Sequence, residues 1–292
     1  MKVMVFDVGG TEIKYSVMDE QLNRADAGSV PTPDDTQEHF LATLEALYRP
    51  HAAEVDGIAM SLPGFIDAEH GVVRGGGAPS LLYNIGTPVG PLLSARCGCR
   101  VFLENDGKAA AIAELQQGAL MVWPTDTLYA VACSALYVKA IERLCRLKNI
   151  NPEKTNLSIV CADISQAARY ARIDNRVFSM LKQNTPGPFT FLFRTASTLP
   201  RAFKGRKVVG VRIPALELNR QIAAALDAPI LTTSVEFDSQ DYFINPSLIA
   251  EEAENHVDFM IDNGYGGTEP STIVDCTGAD YEIVRQGKGE LQ

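Results

Sequence analysis

The sequence predicts an α/β protein made of two joined parts. Short apolar runs of strand length alternate with helical segments along its 292 residues, the pattern of sheet-and-helix layers. That length suits one large domain or two ordinary ones. The charge also changes character along the chain. Residues 1–120 hold 8 Lys and Arg against 16 Asp and Glu, residues 139–220 hold 16 against 5, and residues 221–292 hold 2 against 14. A basic middle in a chain of net charge −10 points to a local polyanion site for a nucleotide or RNA; solvated basic helix faces account for the same count. At 46% hydrophobic residues the chain is globular, not disordered. No apolar run approaches the roughly 18 residues of a membrane span, and MKVMVFDVGG enters strand-like sequence directly, so neither a membrane segment nor a secretory signal is expected. Six cysteines without framework spacing fit reduced thiols in a cytoplasm.

In chain order, Lys2–Asp7 reads as a strand, Val8-Gly9-Gly10-Thr11 as a tight turn and Ile13–Met18 as the second strand of a hairpin. Glycines in such a turn let backbone N–H groups approach a phosphate, Thr11 offers a hydroxyl, and Asp7 can hold Mg²⁺ or its water; an ordinary hairpin looks the same. Thr36–Tyr48 is an amphipathic helix, with Phe40, Leu41, Leu44, Leu47 and Tyr48 near 3–4 spacing. Val55–Met60 is a buried strand, Ser61-Leu62-Pro63-Gly64 a turn, and Gly71–Gly77 a glycine-rich loop. Val101–Leu103 is a strand ending in Glu104-Asn105-Asp106, and the alanine-rich Gly107–Gln117 is a helix. Asp106 also stands where a helix N-cap belongs.

DVGGTEIKYSVMD, VDGIAMSLPGFID and LENDGKAAAIAEL, in this order and spacing, resemble the N-terminal half of ROK-family sugar kinases. The resemblance implies an actin-like, RNase H-like ATPase fold over residues 1–117. It implies that Asp7, Gly9, Gly10 and Thr11 cradle the phosphates of Mg²⁺-bound ATP. It further implies that Glu104 and Asn105 lie by the sugar and that Asp106 is the general base. A carboxylate suits that role, because the attacking hydroxyl must lose a proton while donors and Mg²⁺ absorb phosphoryl charge. The second lobe of the kinases has no counterpart: neither a GTGxGxG loop nor a CxCGxxGC zinc run follows Leu120. Cys97-Gly98-Cys99 supplies only two of the four ligands a structural zinc needs.

From Gly118 a different series begins. Gly118–Trp123 is a strand running into Pro124-Thr125-Asp126-Thr127, Ala135–Leu147 a helix and Leu157–Cys161 a strand. Helices over Ser165–Ala171 and Asn175–Gln183 follow, then Thr185-Pro186-Gly187-Pro188 and the strand Phe189–Phe193. Lys207–Arg212 and Ile230–Thr233 are strands flanking the helix Glu217–Leu226. Pro246–His256 is an acidic helix, and Val257–Ile261, Ser271–Cys276 and Glu282–Gln286 are strands.

WPTDTLYA, RLK, PGPFTFLF, VVGVRIP, PILTTS and STIVDCTG resemble the YrdC/YciO family over residues 118–292. Its best-known members are threonylcarbamoyl-AMP synthases. The resemblance implies a twisted sheet with a concave basic cavity. In the synthases that cavity takes ATP, threonine and bicarbonate, and the product serves tRNA modification. Arg146, Lys148 and Arg212 are reasonable phosphate ligands, and Thr125, Thr127, Thr190, Thr233 and Ser234 supply hydroxyls; each hydroxyl alone is also an ordinary turn or strand residue. Lys148-Asn149-Ile150 stands in place of the synthases' KxR and Ser234-Val235-Glu236 in place of SxN. Both departures point toward the YciO-like branch, which is associated with RNA. Lys108–Gln117 occupies the place of that family's first helix, so one helix serves both resemblances.

The expectation is therefore a cytoplasmic YrdC/YciO-type protein, ATP- and RNA-associated, forming threonylcarbamoyl-AMP and carrying a ROK-like half-lobe. Its partners would be nucleotide, threonine or a sugar, and tRNA or double-stranded RNA, with no membrane. The alternatives are a sugar kinase using Asp106 and a non-catalytic chimera in which both activities are lost.

Overall fold

The computed structural model describes residues 1–150, 157–196, 199, 207–235 and 244–292. The chain divides into two compact units, Met1–Ala110 and Ala111–Gln292.

Unit 1 begins with β1 (Lys2–Val8), β2 (Glu12–Asp19) and β3 (Arg24–Pro31), then α1 (Gln37–Tyr48), β4 (Gly57–Leu62), β5 (Phe65–Asp67), β6 (Val72–Gly75), α2 (Val89–Cys97) and β7 (Arg100–Asn105). Its main sheet has the order β3-β2-β1-β4-β7. β1, β2 and β3 are antiparallel, while β1, β4 and β7 are parallel. Alternation places Met4, Phe6, Val8, Ile58, Met60, Leu62 and Leu103 on the face packed by Phe40, Leu41 and Leu44 of α1 and by Val89 and Leu93 of α2. Thr36 caps α1, its hydroxyl accepting from the His39 N–H at 3.2 Å. Part of the expected Gly71–Gly77 loop is strand: Val72 and Val73 pair with Asp67 and Ile66 in a small hairpin that buries Val73.

α3 (Asp106–Gln116) starts in unit 1 and ends in unit 2. Unit 2 continues with β8 (Leu120–Trp123), β9 (Ala130–Ser134), α4 (Val138–Leu147), β10 (Ser158–Val160), α5 (Ile164–Ala168), α6 (Asn175–Asn184), β11 (Phe189–Arg194) and β12 (Val208–Arg212). α7 (Glu217–Ala225), β13 (Ile230–Ser234), α8 (Pro246–Ala253), β14 (Phe259–Met260), β15 (Thr272–Asp275) and β16 (Glu282–Arg285) complete it. A mixed sheet of nine described strands runs β14-β8-β9-β13-β10-β12-β11-β15-β16.

Period-2 alternation gives this sheet two unlike faces. Val131, Cys133, Ile159, Phe191, Phe193, Val209, Val211 and Leu231 form the larger core with α4, α5, α6 and α8. On the other face Met121, Trp123, Ala130, Ala132, Val160 and Ile230 pack with Leu115 of α3 and with Ile222 and Ala223 of α7. Farther along that second face the residues turn polar, and there the sheet opens into a cavity. The six cysteines are free. Burial pushes the Cys161 thiol up to about 12 and Cys133 higher still, so both act as small core hydrophobes. Among the described residues no helix is long and apolar enough to cross a membrane.

Candidate functional site

The cavity in unit 2 has a volume of about 190 Å³. Its walls come from seven strands adjacent in the sheet: Ala130 on β9, Thr232, Thr233 and Ser234 on β13, Ser158 on β10, Arg212 on β12, Thr190 on β11, Ile273 on β15 and Arg285 on β16. Thr127, Leu128, Pro270 and Ser271 close it from two loops. Five residues expected from the sequence therefore converge: Thr127, Thr190, Arg212, Thr233 and Ser234.

Arg212 is the organising group. It is 7% exposed, yet carries a full charge. Its Nη2 donates to Asp126 Oδ1 at 2.7 Å and to Thr127 Oγ1 at 3.0 Å, while the other Asp126 oxygen accepts from the Ala215 N–H at 2.8 Å. Burial draws the guanidinium below the usual arginine range and the Asp126 carboxylate opposes that shift; the arginine stays charged, as arginines in proteins do. Its Nε is buried with no partner. A buried unsatisfied donor costs about 1–3 kcal/mol; the same residue lines the cavity, so its positive charge bears on whatever occupies that space.

The loop that carries Asp126 is held from several sides. Thr125 Oγ1 donates to the Leu128 carbonyl at 2.7 Å and lies 3.0 Å from Thr127 Oγ1. Fully buried Asn219 donates to the Pro124 carbonyl at 2.9 Å, and Lys288 Nζ to the Asp126 carbonyl at 2.7 Å. Gly267 passes so close that an added Cβ would lie 2.1 Å from the Thr127 carbonyl oxygen. On the opposite wall Thr190 Oγ1 and Ser271 Oγ are 2.8 Å apart, and Arg285 donates to the Ser271 carbonyl through Nη2 at 2.8 Å and Nε at 3.2 Å. The buried Trp123 indole donates to Thr232 Oγ1 at 3.4 Å, linking the core to the cavity wall.

Two guanidinium groups, seven hydroxyl side chains and no carboxylate line the cavity among the described residues. That donor set fits a small anion, either a carboxylate or part of a phosphate chain. It offers Mg²⁺ no carboxylate ligand, since the oxygens of nearby Asp126 already accept from Arg212 and Ala215. Thr125 stands behind Thr127, outside the lining. Arg146 and Lys148 lie at the end of α4 and are not among the described lining residues; Arg146 Nε reaches the Glu142 carbonyl of its own helix at 3.4 Å. Glu236 lies outside the described residues.

Sequence reasoning passed over several members. Asp126 sits inside the WPTDTLYA stretch as the residue type that must pair a buried arginine. Ser271 opens STIVDCTG. Arg285 and Lys288 carry no local signal: Arg285 enters the cavity from the last described strand, and 162 residues separate Lys288 from Asp126, whose carbonyl it reaches.

Unit 1 holds the other set. Asp7, Ser61 and Glu104 are in register across β1, β4 and β7. They lie near the carboxyl ends of parallel strands, where open α/β sheets place ligands. Ser61 Oγ donates to Asp7 Oδ1 at 2.8 Å, and Glu104 Oε1 accepts from buried Lys108 Nζ at 2.6 Å. Asn105, not Asp106, fills the capping role: its Oδ1 accepts the Lys108 N–H at 2.8 Å while its Nδ2 donates to the Gly64 carbonyl at 2.8 Å. Asp106 is exposed, accepting from the Gly107 N–H at 2.7 Å. The Gly9–Thr11 turn is tied down by the Gly9 N–H to the Glu12 carbonyl, Thr32 Oγ1 to the Gly9 carbonyl and Ser80 Oγ to the Gly10 carbonyl.

Comparison with known proteins follows the same division. Residues 113–287 match the Sua5_yciO_yrdC family, described as "Telomere recombination", and residues 3–123 match the ROK family. The uncharacterized protein YciO of Escherichia coli K12 is 32% identical over 185 residues, covering 62% of this chain and 89% of YciO. The crystal structure of E. coli YciO superposes with a TM-score of 0.58 over 63% of this chain and 90% of that one. The threonylcarbamoyl-AMP synthase of Bos taurus is 32% identical, covering 61% of this chain and 67% of the synthase. P. abyssi Sua5 complexed with L-threonine is 25% identical, with a TM-score of 0.54 over 62% of this chain and 54% of that one. The chain belongs to the Sua5/YciO/YrdC family.

Proposed function

We propose that unit 2 binds ATP and threonine at the Arg212 cavity and forms threonylcarbamoyl-AMP from threonine, bicarbonate and ATP, in the service of tRNA modification. The observation that carries this reading is the cavity lined by Arg212, held by Asp126, together with Arg285 and seven hydroxyl side chains, with no carboxylate among the described lining residues. In that reaction the threonine amine takes up bicarbonate with loss of water, giving a carbamate. A carbamate oxygen then attacks the α-phosphorus, the α–β anhydride bond breaks and pyrophosphate leaves. The Arg212 and Arg285 guanidinium groups would oppose the anionic charge, and the hydroxyls of Thr190, Thr233 and Ser234 would orient the substrates. Mg²⁺ would enter on the triphosphate. The relatives named threonylcarbamoyl-AMP synthase and the threonine-bound Sua5 support this class of chemistry. Pyrophosphate release from ATP tests it: release should require both threonine and bicarbonate and should vanish in Arg212→Gln. ATP binding without turnover would make the protein a nucleotide binder instead.

A second reading rests on the in-register Asp7, Ser61 and Glu104 row with exposed Asp106 beyond it. It is sugar phosphorylation with Asp106 as base. ADP release with glucose, N-acetylglucosamine or N-acetylmannosamine, lost in Asp106→Asn, is the required result. Silence in both assays would leave the non-catalytic fusion.

A further inference from the structure

We infer that unit 2 carries an RNA-backbone docking edge separate from the Arg212 cavity, formed by Arg172, Arg194 and Lys207. This deepens the tRNA-associated reading above and rests on it. Residues 175–216 contain eight Lys and Arg and no Asp or Glu. The fold gathers two of these cations, Arg194 and Lys207, with Arg172 from just before the region. The Arg172 N–H donates to the Arg194 carbonyl at 2.8 Å, beside the bridge between Ala171 and Thr195. The Thr195 N–H donates to the Lys207 carbonyl at 3.0 Å, and Arg194 pairs in register with Val208. Neighbouring strands lie about 4.8 Å apart, so the three backbones follow one another at one end of these strands; alternation sets Arg172 and Arg194 on one face of that rim and Lys207, beside Val208, on the other. All three side chains are exposed.

Their charges are not consumed locally. No ion pair engages them among the described residues; Arg194 Nε donates to the neutral Thr277 carbonyl at 3.3 Å. Of the nearby carboxylates, Asp174 is taken by Arg176, and Asp275 accepts the Thr277 N–H at 2.8 Å. The edge is also distinct from the cavity. Thr190 and Arg212 line the cavity from one end of β11 and β12, while Arg194 and Lys207 stand at the other end. At about 3.3 Å per residue the separation is roughly 13–17 Å. In a chain of net charge −10, a compact unpaired basic edge suits a phosphodiester backbone, whose charges repeat along its length. A small anion would use the enclosed cavity instead.

The test is fluorescence anisotropy of a labelled tRNA transcript titrated with the full chain across a salt series. The variant is Arg172→Gln/Arg194→Gln/Lys207→Gln. Losing three phosphate contacts should weaken binding at least about tenfold near 100 mM salt and lower the log–log salt slope by about 2–3. ATP affinity and the unfolding midpoint read by Trp123 emission should stay at wild-type values. Unchanged RNA affinity in the variant, or no RNA binding by the wild type, would overturn the inference. Displacement of the RNA by poly-glutamate at equal charge would also overturn it, in favour of an acidic protein partner. If the variant loses RNA while the wild type makes no pyrophosphate, the docking edge stands and the synthase reading falls.

Discussion

The two polar clusters of this chain differ less in residue type than in surroundings. In unit 1, Asp7 and Asp106 are exposed carboxylates at the rim of a five-stranded sheet. In unit 2, Asp126 and Arg212 form an ion pair whose side chains are 7% and 9% exposed, against a cavity that leaves one donor unmet. These exposed carboxylates each accept a hydrogen bond, Asp7 from Ser61 and Asp106 from the Gly107 N–H, and water can replace those partners at little cost. A buried guanidinium is costly unless paired, so Arg212 and Asp126 hold each other in place at the cavity wall. The comparison teaches that unit 2 holds a more complete site.

The largest expected effect comes from breaking that pair. Asp126→Ala leaves Arg212 buried and uncompensated, and should destabilise unit 2 by about 3–5 kcal/mol. Asp7→Ala removes an exposed carboxylate and should cost no more than about 0.5 kcal/mol. Trp123 is the single tryptophan and is fully buried in unit 2, so its emission during denaturant unfolding reports that unit alone, while calorimetry reports both. Similar losses for the two variants would remove the contrast.

Glycine substitutions sharpen it next. In Gly267→Ala the new Cβ would meet the Thr127 carbonyl at 2.1 Å. The loop must shift, and the rate of pyrophosphate release should fall about 100-fold, because misplacement on the ångström scale has that consequence for a reacting geometry. In Gly10→Ala the Cβ would lie 2.6 Å from Ala78 Cβ. That clash should cost unit 1 about 1–3 kcal/mol, leaving ATP affinity and the Trp123 transition where they were. Calorimetry, ATP titration and the pyrophosphate assay check both.

The smallest effect is a pH dependence. Asp258 accepts from Arg143 at 2.8 and 3.1 Å and from the Leu120 N–H at 2.7 Å. The Arg143 hydrogen bonds, foremost, hold its carboxyl below the usual range. Its contribution is therefore present above the ordinary carboxylate value and is lost as pH falls through the depressed one. The pair is about two-fifths exposed, so solvent screening keeps the contribution under about 1 kcal/mol. Asp258→Asn should lower the urea midpoint near about pH 6 and differ less from wild type near about pH 3.

Much of the architecture was legible because local signals agreed with the fold. The β1–β2 hairpin announces itself by alternation, and α1 by its Thr36 cap and apolar stripe. β3 does not: RADAGSVP is an edge strand whose residues are mostly exposed, so no apolar pattern marks it. α2, VGPLLSARC, carries Gly and Pro in its first turn and hides likewise. At the site, hydroxyls next to turns and strand ends were readable one at a time. Their convergence was not, because Arg212 meets Asp126 across 86 residues and Arg285 enters from the last strand. Asn105 filling the cap expected of Asp106 is a matter of one residue's side-chain direction, which spacing does not encode.

The most direct test of the central claim, that function resides at the Arg212 cavity, is calorimetric titration of ATP into three full-length proteins. Wild type and Asp106→Asn should bind with equal affinity, and Arg212→Gln, which keeps a donor for Asp126, should lose binding by at least about tenfold. Loss in Asp106→Asn with retention in Arg212→Gln would contradict the account and move the site to unit 1.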